Sequence, residues 1–244
     1  MIYKETVKIP LKDVEKGNVI SDRGILEIFE NVATHHSDSI QDGVNEIESN
    51  GKAWVIMDWK IKVLSRPKYG ESFKVNTWSR ENNIQERKIA TYRDFEMYDN
   101  QNNLCVIGTS KWVIMNIQTG RITNIDKNLQ ERYKPETKSV FDTWDIEKIQ
   151  QTKEFYHEVE YTVSRADVDF NKHMHNIYYI NLAYNAIPDN VYELRPFSNI
   201  RISYKREIKL GETVKCKYIK SDNKHIVTIC SKDETKLHSI IILE

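Results

Sequence analysis

The sequence predicts an α+β protein made of two similar halves, each an antiparallel sheet wrapped around a long helix. Three observations predict it. Apolar residues recur at helical spacing once in each half. Each such stretch is followed by four strand-like runs divided by polar turns. Six residues also recur at a constant separation of 141: Ile61, Lys68, Gly70, Glu71, Ser72 and Lys74 against Ile202, Lys209, Gly211, Glu212, Thr213 and Lys215. Gly-Glu-Ser/Thr alone is a common turn. The shared order of elements makes internal duplication the better explanation.

Residues 3–11 read as a short strand. Ile25, Ile28, Phe29, Val32 and Ala33 follow at i, i+3, i+4, i+7 and i+8, the stripe of an amphipathic helix, with Ser21 or Asp22 as its cap. Asp58, Lys60 and Lys62 then alternate with Trp59, Ile61 and Val63, the period of two that a strand requires. Further strands are expected near 72–79, 86–98 and 104–117, with Asp99-Asn100-Gln101-Asn102-Asn103 as a turn. Residues 118–153 are polar and weakly periodic. We expect a linker over 131–153, with a short helix near 144–151.

The second half repeats the order. A strand at 155–163 precedes a loop and a helix with Ile177, Ile180, Ala183, Tyr184 and Ile187 on one face. Pro188 and Asp189 should end that helix. Strands are expected near 198–208, 212–220, 225–231 and 236–243. A helix apolar enough to be enclosed needs a sheet on most of its sides. The expected architecture is therefore a tandem hotdog fold, with domains at 1–130 and 154–244.

Composition excludes several classes. Thirty-six basic residues balance thirty-six acidic ones, so no dominant nucleic-acid footprint exists. Cys105, Cys216 and Cys230 are too few and too scattered for a disulfide framework, which suits a reducing compartment, the cytoplasm. No apolar run approaches the roughly 20 residues of a membrane span. There is no glycine-rich phosphate loop, Gly-x-Ser-x-Gly elbow or dinucleotide fingerprint, so no cofactor is implied.

The stretch from Asp167 to Asn176 carries the most chemistry: Asp169, Asn171, His173 and His175 fall within ten positions. It lies just before the second helix, where free backbone N–H groups and the positive dipole end suit an acyl-transfer oxyanion. Asp and Asn before a helix are also ordinary caps and turn formers, the expectation here for Asp167 and Asn176. His173-x-His175 with Asp169 has metal-ligand residue types but no further ligand at typical spacing, so no metal is expected.

Asp169-Phe170-Asn171-Lys172-His173, with Tyr204-Lys205-Arg206-Glu207 placing an acid 34 residues after His173, resembles the acyl-acyl-carrier-protein thioesterases of plants and bacteria. The resemblance spans nearly the whole chain in element order. It implies hydrolysis of an acyl-carrier-protein thioester, releasing a free fatty acid and ending elongation. It implies acyl carrier protein as the partner and an acyl-chain tunnel in the first half. The site it implies is Asp169, Asn171, His173 and Glu207. Glu207 would be a general base toward water or a direct nucleophile, His173 would activate that water or polarise the carbonyl, Asn171 would donate to the carbonyl oxygen, and Asp169 would orient the loop.

Two departures stand out. Ile208 occupies a position that is cysteine in many plant members, which excludes a thiol mechanism there and puts the load on Glu207. His175 replaces the first of a usual asparagine pair. The residue 141 positions before Glu207 is Arg66, and the first half has no Asp-x-Asn-x-His, so one site per chain is expected.

His35 and His36, as neighbours, cannot share a helical face, and His36 falls near the apolar stripe. Trp54, Trp59 and Trp78 are expected to pack the first half, with some lining the tunnel. Two rivals remain, an acyl-coenzyme A thioesterase and a non-catalytic acyl- or carrier-binding module. A monomer or a homodimer fits equally.

Overall fold

The computed structural model describes residues 1–81, 89–152, 154–169 and 172–244. The chain forms two compact units, Met1–Ile146 and Glu147–Glu244. In the first, β1 (Tyr3–Lys8) leads to a two-stranded ribbon, β2 (Val14–Glu15) against β3 (Val19–Ile20). Helix α1 (Asp22–Ser39) follows, then one turn of helix, α2 (Ile47–Asn50), and strands β4 (Lys52–Val63), β5 (Ser72–Ser79), β6 (Ala90–Tyr98) and β7 (Leu104–Asn116). The antiparallel sheet has the order β1-β5-β6-β7-β4, and a short β8 (Ile122–Thr123) pairs with β7. Helix α3 (Lys127–Tyr133) closes the main elements.

Helix α1 starts where the sequence places it. The Ser21 hydroxyl accepts from Gly24 N–H at 2.9 Å, satisfying one of the first-turn donors. The expected stripe is buried against the sheet, with Ile25 and Phe29 at zero exposure. Each such side chain contributes about 1.5–3 kcal/mol by leaving water. Phe29 stacks on Phe95 at 4.7 Å between centroids and lies beside Trp59. Gly108 on β7 makes this approach feasible, since a Cβ there would come within 2.7 Å of the Phe29 ring. His36 is fully buried, as its place on the stripe suggests, and stacks on Tyr3. Burial and the adjacent Arg93 guanidinium, 2.8 Å away, push its pKa down to about 3. All five tryptophans fall in this unit: Trp54, Trp59, Trp78, Trp112 and Trp144.

Residues 134–146, expected within a linker and the start of a short helix, instead run in extended and bent form across the first unit. Glu136 N–H donates to Ser79 O and Trp78 Nε1 donates to Lys138 O, both at 2.9 Å. The Asp94 carboxylate accepts from Val140 N–H at 3.0 Å and lies 3.5 Å from the buried Arg80 guanidinium. Arg80 is stacked between Tyr92 and Trp144. A polar segment therefore binds through its backbone and its ions, contacts that apolar periodicity does not record.

In the second unit β9 (His157–Thr162) precedes the loop, and a 3-10 turn, Asn176–Tyr178, leads into α4 (Tyr179–Ala186). One further turn, α5 (Asp189–Tyr192), precedes β10 (Asn199–Tyr204), β11 (Thr213–Ser221), β12 (Lys224–Ser231) and β13 (Leu237–Leu243). The sheet order is β10-β13-β12-β11-β9, all antiparallel. Helix α4 is short, where a long one was expected. Ile187, before a proline, is extended at φ −75°, ψ 146° and stops it. Pro188 then opens α5, where its missing N–H costs nothing. Ile180, Ala183 and Ala186 have no exposure.

The two sheets repeat strand for strand. Lys8 faces Ser72 across β1 and β5, and Thr162 faces Thr213 across β9 and β11. Gly70 and Gly211, 141 residues apart, both turn with positive φ, 92° and 80°. Each half is a hotdog. Among the described residues no helix is long and apolar enough to cross a membrane.

Candidate active site

The loop before α4 is built mainly by backbone bonds. Val168 bridges Met174, and Asp169 N–H donates to His173 O at 3.0 Å, forming a narrow ribbon. Lys172 turns it with a φ of 63°. Asp167 staples its base: its carboxylate accepts from the Ser164 N–H and hydroxyl and from the Tyr161 hydroxyl, at 2.6 to 2.8 Å. Burial raises the Asp167 pKa, but these bonds outweigh it and hold the carboxyl below its ordinary range. Asp167 is thus a turn former, and Asn176 opens the 3-10 turn.

His173 projects from this ribbon, and its backbone bridges Lys209. Glu207 lies just past the end of β10. The His173 Nε2 and Glu207 Oε1 atoms stand 3.2 Å apart, with side-chain exposures of 32% and 48%, so water reaches the pair. Lys209 Nζ lies 3.8 Å from the same oxygen. The Asp169 carboxylate accepts from His173 N–H at 3.4 Å, which ties the aspartate to the ribbon. Asn171 lies outside the described residues. Three of the four expected residues, Asp169, His173 and Glu207, therefore converge across some forty positions of sequence.

The helix entry offers less to an oxyanion than its dipole suggests. Met174 N–H donates to Ile208 O at 2.8 Å and His175 N–H to Asp167 O at 2.9 Å. Ile177 N–H points at His175 Nδ1, 3.4 Å away. These donors are already used inside the protein. His175 therefore stands as the helix cap, and Ile208 is fully buried.

Behind Glu207 the segment is held by groups that sequence inspection missed. Lys205 and Arg206 N–H both donate to His238 O, at 2.8 and 3.2 Å. The Tyr179 hydroxyl donates to Arg206 O at 3.3 Å. Burial pushes the Tyr179 phenol far above its ordinary pKa, so it keeps its proton. His238 reads in the sequence as one more strand residue, and only its partners mark it.

The ribbon also has a counterpart in the first half. Asp13 to Asp22 stands 154 positions before Asp167 to Asn176. Val14 pairs with Ile20 as Val168 pairs with Met174, and Val19 bridges Lys68 as His173 bridges Lys209. Asn18 and Lys172 turn with φ values of 58° and 63°. At two of the expected site positions the halves differ: Val19 stands for His173, and Arg66 for Glu207. Arg66 Nη1 meets the fully buried Asp22 carboxylate at 2.9 Å.

Comparison with known proteins gives the family and the fold. Residues 1–133 match the model of the acyl-ACP thioesterase N-terminal domain, and residues 149–240 that of the C-terminal domain. Oleoyl-acyl carrier protein thioesterase 1, chloroplastic, of Arabidopsis thaliana is 23% identical over 228 residues, covering 87% of this chain and 62% of its own length. The chain thus spans about three fifths of the length of the curated relatives it matches. The 12:0-ACP thioesterase from Umbellularia californica superposes with a TM-score of 0.85 at 19% identity, covering 100% of this chain and 96% of that one. An acyl-ACP thioesterase from Bacteroides thetaiotaomicron gives 0.85 at 17% identity, covering 99% and 96%.

Proposed function

Because the chain belongs to the acyl-ACP thioesterase family, we propose that it hydrolyses acyl-acyl-carrier-protein thioesters, releasing a free fatty acid and ending elongation of that chain. The observation that carries this is the solvent-reached contact of His173 with Glu207. An ionised carboxylate only accepts hydrogen bonds, so the His173 nitrogen facing it bears the proton. The carboxylate is the acceptor of this contact and is reached by solvent, and on that we assign Glu207 as the general base and His173 as the group that orients it.

Glu207 takes a proton from water, and the hydroxide adds to the thioester carbonyl carbon. The tetrahedral oxyanion needs donors, and the Asn171 amide, at the position the family motif gives it, is the candidate. Collapse breaks the C–S bond. The carrier thiolate departs and takes up the proton held on Glu207, so water is consumed and a fatty acid and a thiol are released. Asp169, bonded to the His173 backbone, keeps the ribbon in shape. The three buried free cysteines suit a reducing compartment, the cytoplasm.

The test is free-thiol release from a panel of acyl-carrier-protein substrates, with matched acyl-coenzyme A controls. Wild type should prefer the carrier-linked substrates, and the panel then gives the acyl length. Glu207→Ala and His173→Ala should each lose about 10²-fold or more in kcat/KM. Preference for coenzyme A would reassign the substrate class. A folded wild type that releases no thiol from either series is a binding module and not a hydrolase.

A further inference from the structure

The two halves use the same main-chain device where the strand before the Gly-Glu turn leaves the sheet. In the first half, Leu64 and Ser65 N–H both donate to Cys105 O, at 2.8 and 3.0 Å. In the second, Lys205 and Arg206 N–H both donate to His238 O. Both acceptors sit at a β-bulge. The register between β6 and β7 shifts so that Met97 faces Val106 and Tyr98 faces Leu104, passing over Cys105. Between β12 and β13, Ile229 faces Ser239 and Cys230 faces Leu237, passing over His238. A bulge frees one side chain from the alternation of the strand and re-aims it.

The two re-aimed side chains do different things. The Cys105 thiol turns back to the turn that precedes its own strand, with Sγ 3.5 Å from Asn103 O. The His238 ring turns to the neighbouring segment, with Nδ1 3.0 Å from Glu207 O and 3.4 Å from Arg206 O. A carbonyl only accepts, so Nδ1 carries the proton and donates. The ring is almost wholly buried, 4% exposed, so water competes little for this bond. The helix shows the same divergence: Tyr179, which donates to Arg206 O, stands 154 positions after Ile25, which has no donor. In the half that carries Glu207, side-chain donors from Tyr179 and His238 thus reach the carbonyls of this exit.

We propose that His238 is a positioning residue for Glu207: through its Nδ1–H it fixes the Glu207 carbonyl, and so the direction in which the carboxylate leaves the backbone toward His173. It touches no reacting atom. Its effect is on the fraction of time the carboxylate spends at working distance, and an ångström of misplacement can cost about 10²-fold in rate. This rests on the hydrolase reading above for its kinetic consequence, but not for its geometric one.

Three variants test it. His238→Cys copies the first half and removes the donor. His238→Phe removes the donor while keeping the volume, and stands in should the cysteine variant not fold. His238→Asn keeps an N–H near the Nδ1 position. On an acyl-carrier-protein substrate the donor-less variant should lose about 10- to 100-fold in kcat with KM within about two-fold, and the asparagine variant should stay within about three-fold of wild type. A donor-less variant within two-fold of wild type, or an asparagine variant as slow as it, overturns the proposal. Crystal structures give a readout free of activity. The His173–Glu207 contact should open beyond about 4 Å without the donor and stay closed with asparagine. A contact kept in the donor-less variant overturns the proposal even if no thioester is cleaved, whereas an inactive wild type with the predicted opening overturns only the hydrolase reading.

Discussion

At equivalent turns of the two halves stand opposite charges. Arg66 in the first is clamped to buried Asp22 and also lies 3.3 Å from Ile20 O. Glu207 in the second is about half exposed and leans on a histidine. The backbones around them are held by the same bonds, down to Ile20 N–H to Pro67 O in one and Met174 N–H to Ile208 O in the other. The scaffold therefore does not make the site. The same ribbon, turn and bulge serve a structural ion pair when they carry Val19, Arg66 and Cys105, and an exposed acid–imidazole pair when they carry His173, Glu207 and His238.

That contrast can be broken from either side. The largest effect should come from the first half. Arg66→Ala leaves Asp22 buried without its guanidinium and should cost about 3–5 kcal/mol of stability, with kcat of the folded fraction unchanged. Urea unfolding measures the first and thiol release the second; a loss of kcat without a loss of stability would mean the halves are not divided as described. Next comes Glu207→Gln, which should lower kcat/KM by about 10²-fold, about 3 kcal/mol at the transition state, and barely move the urea midpoint.

Acid sharpens the contrast further. The folded pKa of His36, about 3, lies below its ordinary 6.5, so the unfolded chain binds the extra proton. Its contribution is present above pH 6.5 and lost as pH falls toward 3. At pH 4.5 the loss should reach about 2–3 kcal/mol. His36→Gln should flatten that part of the stability profile, and a profile unchanged by the substitution would count against the buried neutral ring. The smallest effect tests what the halves share. Gly70→Ala and Gly211→Ala both place a side chain at positive φ in open space, so each should cost about 1 kcal/mol, equally. Unequal midpoints would show that one turn carries a burden the other does not.

Much of this was legible in the sequence. Alternation around Trp59 and the spacing of Ile25 to Ala33 gave their elements because one face of each is apolar. The offset of 141 marked the shared turn because Gly70 and Gly211 are both needed there for positive φ. The ten-residue ribbon at Asp13 escaped notice because only Asp and Val are repeated, and the likeness lies in main-chain bonds. Helix α4 is shorter than the spacing from Ile177 to Ile187 suggests because its entry, Asn176–Tyr178, is a 3-10 turn and Ile187 is already extended before Pro188, and apolar spacing distinguishes neither. That Asp169, His173 and Glu207 lie together was an expectation of the family motif, and their contacts are those the motif leads one to look for. His238 was not legible, because a bulge is a register event between two strands and leaves no mark on either strand's own pattern.

The tryptophans have a practical consequence. With all five in the first unit, intrinsic emission excited at the red edge arises in that unit, and the half that holds Glu207 has no tryptophan of its own. A fluorescence melt would register the Arg66 and His36 substitutions through tryptophans of their own unit. A single reporter in the dark half, such as Phe155→Trp at a ring that is 45% exposed, would give each hotdog its own optical channel.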